Sequence, residues 1–530
     1  MVRGGVLAAL IGAVSLTICQ AAIAAPISGI YTYHCDNARD GQNLNETILT
    51  PSNVNSTSFG RRFSRVVDGY VYAEPLYVNG VQIPRVGLSE VVYVATEHDS
   101  VYAFDASGKR VAPFWHVSFL TRKPRATTVP SQMVGTDDLV PEIGITGTPV
   151  IDPASSTLYV VATTFEKPNF VMRLHALDLA TGAEKFGGPV VISASASGTG
   201  DASDNGIITF DPHIANQRSG LALSNGVVYI PFASHGDNGP YHGWILGYDA
   251  STLEQVSSFI DTPDGSLGGI WMAGGAPAVD SDGNLLVVTG NGTFDLDQGD
   301  IDYGDSLLKL GPTGDSNLDV LDYFTPFDQL ALADMDLDLG SGGVILLPDQ
   351  STGPAHLAFT GGKEGTLYLV DRDNMGHFQS NDNSQIVQSV MGQIFAVFST
   401  PAYFNGSVFV GGIYDNIKAF GFSDGQLSSA PTSATSPSFQ FPGVSPVISA
   451  NGTQNGILWA IGDGSANNAV LYAFDPNNLA NEFYDSTQKR VRDRMSGYVK
   501  FSVPTVANGQ VFVGSQRRLT VFGLLKKKLP

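Results

Sequence analysis

The chain has 530 residues, 43% of them hydrophobic, and carries 50 acidic against 29 basic side chains for a formal charge of −21 at pH 7. That balance supports a large core and excludes wholesale disorder, and so acidic a surface repels nucleic acid and anionic membrane. In chain order, residues 1–24 read as a secretory signal: Arg3 gives the positive start, Val6 to Ile18 the apolar run, and Ala22-Ile23-Ala24 the small-residue cleavage site. The run is too short to span a bilayer and no later stretch reaches that length, so the expectation is an exported protein, secreted or periplasmic, with no membrane span. Residues 25–62 read as an N-terminal extension. Cys19 leaves with the signal, so Cys35 has no partner for an intrachain disulfide. Asn45, Asn55, Asn291, Asn405 and Asn451 head glycosylation sequons, which matter only if the source glycosylates.

From residue 63 to residue 525 one phrase recurs: an apolar strand, a short polar loop, a second strand and an acidic turn. It runs over Val91 to Lys109, Thr157 to Gly182 and Val227 to Thr252, then Gly365 to Asn374, Ser407 to Gly425, Ala469 to Asn478 and Gln510 to Gly523. Each copy is too small to bury its own apolar face, so neighbours must stack and share a core. Pro75, Pro149, Leu221, Pro277, Gly343, Pro401, Pro446 and Pro504 mark unit openings, because a strand's first residue tolerates proline best. The prediction is an all-β, eight-bladed β-propeller of four-stranded antiparallel blades, with seven blades the alternative if one weak unit is an insertion. The last unit supplies only three strands before Leu525. Phe63 to Val67 is predicted to add the fourth and so remove the exposed edge. Residues 526–530 form a short basic tail.

Val92-Tyr93-Val94-Ala95-Thr96 followed by Val101-Tyr102-Ala103-Phe104-Asp105-Ala106 resembles the repeat of the quinoprotein alcohol dehydrogenase-like propellers. The resemblance covers essentially the whole chain after the signal. Such a repeat specifies a fold strongly and a function weakly. It implies that loops joining the second and third strands of each blade, such as Glu97-His98-Asp99 and His235-Gly236-Asp237-Asn238, gather at one polar mouth around the axis.

Four segments go beyond the repeat and are similar, in order and spacing, to the cofactor-site segments of dehydrogenases using pyrroloquinoline quinone (PQQ). The resemblance implies that Trp271, after Gly268-Gly269, is the floor under the quinone. Asn291, in Thr289-Gly290-Asn291-Gly292, becomes a metal ligand, and Asp334 or Asp336 the catalytic aspartate. Lys363, with Asp371-Arg372 as its marker, supplies a cation to the quinone oxygens. The family's metal-binding glutamate falls on His235 to Gly243, where only Asp237 or Asn238 is available, and Asp338 joins Asp336 as a further metal ligand. Glu166 is a less consistent substitute.

The chemistry accounts for these residue types. A flat tricycle needs an aromatic platform. Calcium takes carboxylate and amide oxygens, and a carboxylate removes the alcohol proton as hydride moves to the quinone. Asp334, Asp336 and Asp338 alternate with Met335, Leu337 and Leu339, so as a strand they share one face and repel one another unless a cation intervenes; the run admits even a trivalent ion. Two family features are missing: the adjacent-cysteine cap over the quinone, and a haem-attachment Cys-x-x-Cys-His, so electrons must pass to an external acceptor.

The expectation is therefore an exported oxidoreductase using PQQ and Ca2+ on an alcohol or sugar. Its competitor is a non-enzymatic propeller presenting its polar face to a protein or glycan partner. Trp271 can equally pack between blades, Asn291 hold a turn, Lys363 pair with Glu364, and His98, His235 and His242 serve as hydrogen-bonded turn residues. A hydrolase comes a distant third, since no Gly-x-Ser-x-Gly elbow is evident. Convergence of Trp271, Asn291, an aspartate of the 334–338 run and Lys363 on one axial cavity decides between the first two.

Overall fold

All eight predicted openings stand before first strands. Pro75, Pro149, Leu221 and Pro277 lead directly into Leu76–Ile83, Val150–Asp152, Ala222–Ser224 and Ala278–Val279. Gly343 stands just ahead of Ile345–Leu346, and Pro401, Pro446 and Pro504 lead into Ala402–Phe404, Val447–Asn451 and Thr505–Ala507. The computed structural model describes residues 28–123, 125–313, 317–465 and 467–526, together with residue 1. The predicted signal and most of the basic tail lie outside these residues.

Each first strand is continued by antiparallel neighbours, as in Leu76–Ile83, Gly87–Thr96, Ser100–Asp105 and Trp115–Ser118 of the first blade. Among the described residues seven sheets have four or more strands and one has three, with a separate two-stranded hairpin at Ser195–Ser197 and Ile207–Thr209. Interior strands are covered on both faces by adjacent blades, so Leu285–Val288 and the stretch Val91 to Thr96 are wholly buried. That sandwiching explains why the repeats read as continuous apolar runs instead of alternating ones.

The three-stranded sheet closes the ring. Phe59–Tyr70, which contains the predicted Phe63 to Val67, pairs antiparallel with Gln510–Leu524, from Phe59↔Leu524 to Tyr70↔Gln516. The fully buried Phe59 ring lies 5.5 Å from Trp459, 5.1 Å from Tyr484 and 6.2 Å from Phe522. Buried Asp493 accepts hydrogen bonds from Arg61 N at 2.9 Å and the Tyr484 hydroxyl at 2.8 Å, which staples the joint.

Ahead of that strand, residues 28–46 form a thread that visits the blades in numerical order. Ser28–Ile30 pairs with Leu76–Ile83 of the first blade, and the Tyr31 carbonyl accepts from Ile151 N of the second at 2.8 Å. Asn37 Nδ2 donates to Leu223 O at 3.1 Å, and the Asn37 carbonyl accepts from Val279 N at 2.7 Å. The carbonyls of Ala38, Asp40 and Gly41 then accept from Leu346 N, Tyr403 N and Ile448 N at 2.8, 2.8 and 2.7 Å. Asn43 Nδ2 reaches Val506 O of the last blade at 2.8 Å. Arg39, fully buried, locks the turn by donating to the carbonyls of Pro277, Tyr33 and Asp36, each at 2.9 Å, and to Thr32 Oγ1 at 2.7 Å.

One element differs from expectation. The 334–338 run is no strand: it follows the helix Gln329–Asp334 and precedes the 3-10 turn Leu339–Ser341. The run therefore presents its aspartates in different directions. Among the described residues no helix is long and apolar enough to cross a membrane.

Candidate functional site

At the axis, where the innermost strands begin, lies a cavity of about 360 Å³. Two kinds of segment build it. Arg218, Phe398 and Phe501 each stand three residues before a strand opening, at Leu221, Pro401 and Pro504. Phe441 and Trp271 come from the same class of connection, whereas Asp237 and Lys363 come from loops joining second and third strands.

Trp271 lines the cavity and is not sandwiched between blades. Its ring meets Phe398 edge-on, with centroids 5.8 Å apart and planes at 61°. Lys363 Nζ sits 5.8 Å from the Trp271 centroid and 5.9 Å from that of Phe398, within range of a cation–π attraction. The next two residues, Met272 and Ala273, are buried with φ of 39° and 50°. Side chains tolerate that left-handed backbone only where packing dictates it, and such strain gathers at binding sites.

The aspartates divide. Asp334 ends its helix exposed and does not line the cavity, which corrects its placement as a possible site residue. Asp336 adopts φ 57°, and that backward turn carries it and Asp338 to the cavity wall. Lys363 Nζ contacts Asp336 Oδ1 and Asp338 Oδ2, both at 2.5 Å. Burial would depress the ammonium, but Asp338 and Asp336 outweigh it and hold its pKa above the ordinary lysine value. Asn291 joins both acids, donating from its backbone N to Asp338 Oδ1 at 2.7 Å and from Nδ2 to Asp336 Oδ1 at 3.0 Å. Its own Oδ1 is buried with no hydrogen-bond partner. Gly290 permits this approach: a Cβ there would stand 2.5 Å from Asp338 Oδ1. Behind the run, Asp305 accepts from Leu339 N at 3.0 Å, and burial, reinforced by the Asp338 charge, raises its pKa well above the carboxylate range.

Asp237, also at φ 55°, reaches the cavity and accepts from the Tyr241 hydroxyl at 2.9 Å. Desolvation pushes its pKa up, and repulsion from Asp338 and Asp336 adds to that. Asn238 turns the other way and donates to Val134 O at 2.8 Å, which removes it from the wall. Glu166 pairs with Arg173. The histidines do not gather here. His98 bonds Glu142 at 2.9 Å, and His242 bonds Asp201 O at 2.7 Å. His235 is buried, which lowers its pKa to about 4.

Several wall residues escaped the sequence reading: Arg218, Asp138, Phe398, Phe441 and Phe501. A signal existed in the spacing, since the position three before an opening faces the axis in Tyr72, Arg218, Phe398 and Phe501 alike.

A planar ligand fits this constellation: an indole face, an adjacent ammonium, and an unpartnered amide oxygen beside two carboxylates. Among the described residues no group of three His, Cys, Asp or Glu side chains forms a ready-made metal cage. A hard cation at Asp338, Asp237 and the Asn291 amide oxygen would therefore draw its remaining oxygens from the bound ligand and water.

No family model and no curated protein matches this chain. Solved structures do. It superposes on quinohemoprotein alcohol dehydrogenase ADHIIG of Pseudomonas putida with a TM-score of 0.58 at 12% identity, over 95% of this chain and 82% of that one. The quinohemoprotein alcohol dehydrogenase of Comamonas testosteroni gives 0.58 at 14%, over 96% and 82%. A europium-containing methanol dehydrogenase gives 0.58 at 12%, over 94% and 98%.

The chain has the quinoprotein dehydrogenase propeller fold.

At these identities the likeness is one of fold, and function rests on the site itself. This propeller keeps its free cysteine, Cys35, in the axial thread. Aromatic rings of Phe398 and Phe441, 5.5 Å apart, instead supply apolar cover at the cavity.

Proposed function

We propose that this propeller is an exported oxidoreductase that binds PQQ with a calcium or larger cation and oxidises a small alcohol or sugar. The observation that carries the reading is the meeting of Trp271, Asp336, Asp338 and Lys363 at one axial cavity, with Asn291 hydrogen-bonded to both acids behind the wall. When bound, the quinone supplies the hydride acceptor and the cation a Lewis acid.

The chain's own groups have distinct tasks. Trp271 offers a stacking platform for a flat ligand, and Lys363 beside it would supply positive charge to a quinone that gains negative charge on reduction. Asn291 Oδ1, Asp338 and Asp237 would be the protein's oxygen donors to the cation. Asp336, with 71% of its side chain exposed, is the group a substrate hydroxyl can reach, and it takes the hydroxyl proton. Asp338, with 8% exposed, anchors Lys363 and positions it. Phe398, Phe441 and Phe501 give the cavity apolar walls that would exclude water from a bound ligand.

Titration of the purified protein with PQQ and Ca2+, followed by dye reduction over a panel of alcohols and aldoses, tests this. Binding should saturate, weaken strongly in Trp271→Ala and Asn291→Ala, and survive in Asp336→Asn while turnover disappears. No binding at micromolar quinone with either calcium or a lanthanide would end the enzyme reading and leave the partner-binding scaffold.

A further inference from the structure

We infer that Arg218 makes one wall of the axial cavity a carboxylate-binding subsite, separate from the Lys363 cluster. Arg218 is 3% exposed, yet its Nη2 has no hydrogen-bond partner. Its guanidinium rests against two rings, with Cζ 4.4 Å from the Phe501 centroid and 5.4 Å from that of Tyr72. Asp138 on the same wall feels the Arg218 charge but is ion-paired with Lys500. A buried guanidinium that shares its wall carboxylate with a lysine keeps an unfilled donor edge, and its planar fork matches a carboxylate. The faces clamped between aromatic rings leave the donor edge as the direction in which a ligand is met.

The wall divides the cavity by charge. Asp336, Asp338 and Asp237 surround one ammonium at the Trp271 end, whereas Arg218 and Lys500 share one carboxylate at the Phe501 end. A ligand with a carboxylate at one end and an oxygen-rich, cation-compatible end at the other matches both. That carboxylate can belong to the quinone or to the oxidisable substrate, and the chemistry at Arg218 is the same. The subsite stands on the cavity and does not require the quinone reading; only the assignment of the carboxylate's owner rests on it.

The competing explanation is a bridging water. Glu97 Oε1 is also buried and unpartnered, and one water between it and Arg218 Nη2 would satisfy both.

Calorimetry on the full-length protein with benzene-1,3-dicarboxylate and its uncharged diamide tests the subsite without any quinone. The dicarboxylate should bind, lose about ten- to a hundredfold in affinity in Arg218→Gln, the worth of one charge-assisted hydrogen bond, and recover part of it in Arg218→Lys. Diamide binding should not follow the variants. A parallel arm compares PQQ with its trimethyl ester. If Arg218→Gln abolishes the preference for PQQ, the quinone's carboxylate occupies the subsite. If the preference persists while KM for carboxylate-bearing alcohols rises, the substrate's does. Dicarboxylate binding that depends on Arg218 in a protein that binds no quinone would sink the proposed function and leave the subsite. Unchanged affinities in Arg218→Gln alongside a lowered melting temperature would overturn the subsite in favour of the water.

Discussion

Lys363 and Asp338 hold each other in place, and neither is free to be replaced alone. Asp338 is nearly buried, so Lys363→Met would strand a carboxylate beside a second one. We expect a loss of roughly 3–5 kcal/mol in denaturant unfolding, partly recovered by added Ca2+ or lanthanide. Gly290→Ala should push Asp338 aside by steric contact alone, weakening quinone binding with less effect on the melting temperature. Glu97 gives a pH signature. Desolvation raises its pKa to about 7, so as pH rises through that value a second negative charge develops beside Arg218 and competes with a bound carboxylate. Tyr72, Asp99, Asp138 and Glu142 face the same pair, and the neighbouring cation, Lys500, is held by Asp138. Anion affinity should fall between about pH 6 and 8, and Glu97→Gln should flatten the profile. At this scale the sequence was half legible. Trp271, Asn291 and Lys363 stand in local phrases that carry their own context. Arg218 stands in an ordinary strand approach, and only ring closure brings it to the cavity.

Among the elements, the 334–338 run shows where periodicity misleads. Alternating Asp with Met or Leu suits a strand, but the preceding Gln329–Asp334 turns as a helix and Asp336 breaks with φ 57°. The backbone therefore separates Asp334 from its neighbours, and an alternation over five residues is too short to outweigh the tertiary context. The closing strand was legible because its apolar residues had no other sheet to join. Its stability has a clear origin: Phe59 fills a cluster of three aromatic rings, and Phe59→Ala should cost about 3–5 kcal/mol in chemical unfolding. Arg39→Ala should be comparably damaging, since it leaves several buried carbonyls without a donor.

For the whole molecule, buried acids dominate the response to pH. Desolvation raises Glu74 to about 8 and Glu97 to about 7, and lowers the buried histidines His34 and His235 to about 4. Acids with raised folded values bind protons more tightly in the native state, so stability falls as pH climbs from their unfolded values toward 7 or 8. The histidines oppose this only below about pH 6.5, where the unfolded chain protonates them. Melting temperature should therefore decline between about pH 6.5 and 8, less steeply in Glu74→Gln; a rise over that interval would contradict the assignment. The propeller, read as eight blades with seven as the alternative, and its strand openings were legible from the repeats. The role of residues 28–46 was not, because a segment with no repeat of its own gains its meaning from partners spread over the rest of the chain.

That thread makes assembly an all-or-none affair. Its carbonyls and side chains can be satisfied only by inner strands that are synthesised later, the last of them some 460 residues downstream at Val506. Early blades can stack in pairs and take up Ser28–Ile30, but the far end of the thread at Asn43 has no partner until the final sheet arrives. A polypeptide wired in this way suits delivery as a loose chain and a single late locking event, with the shape of the central chamber settled at the same moment.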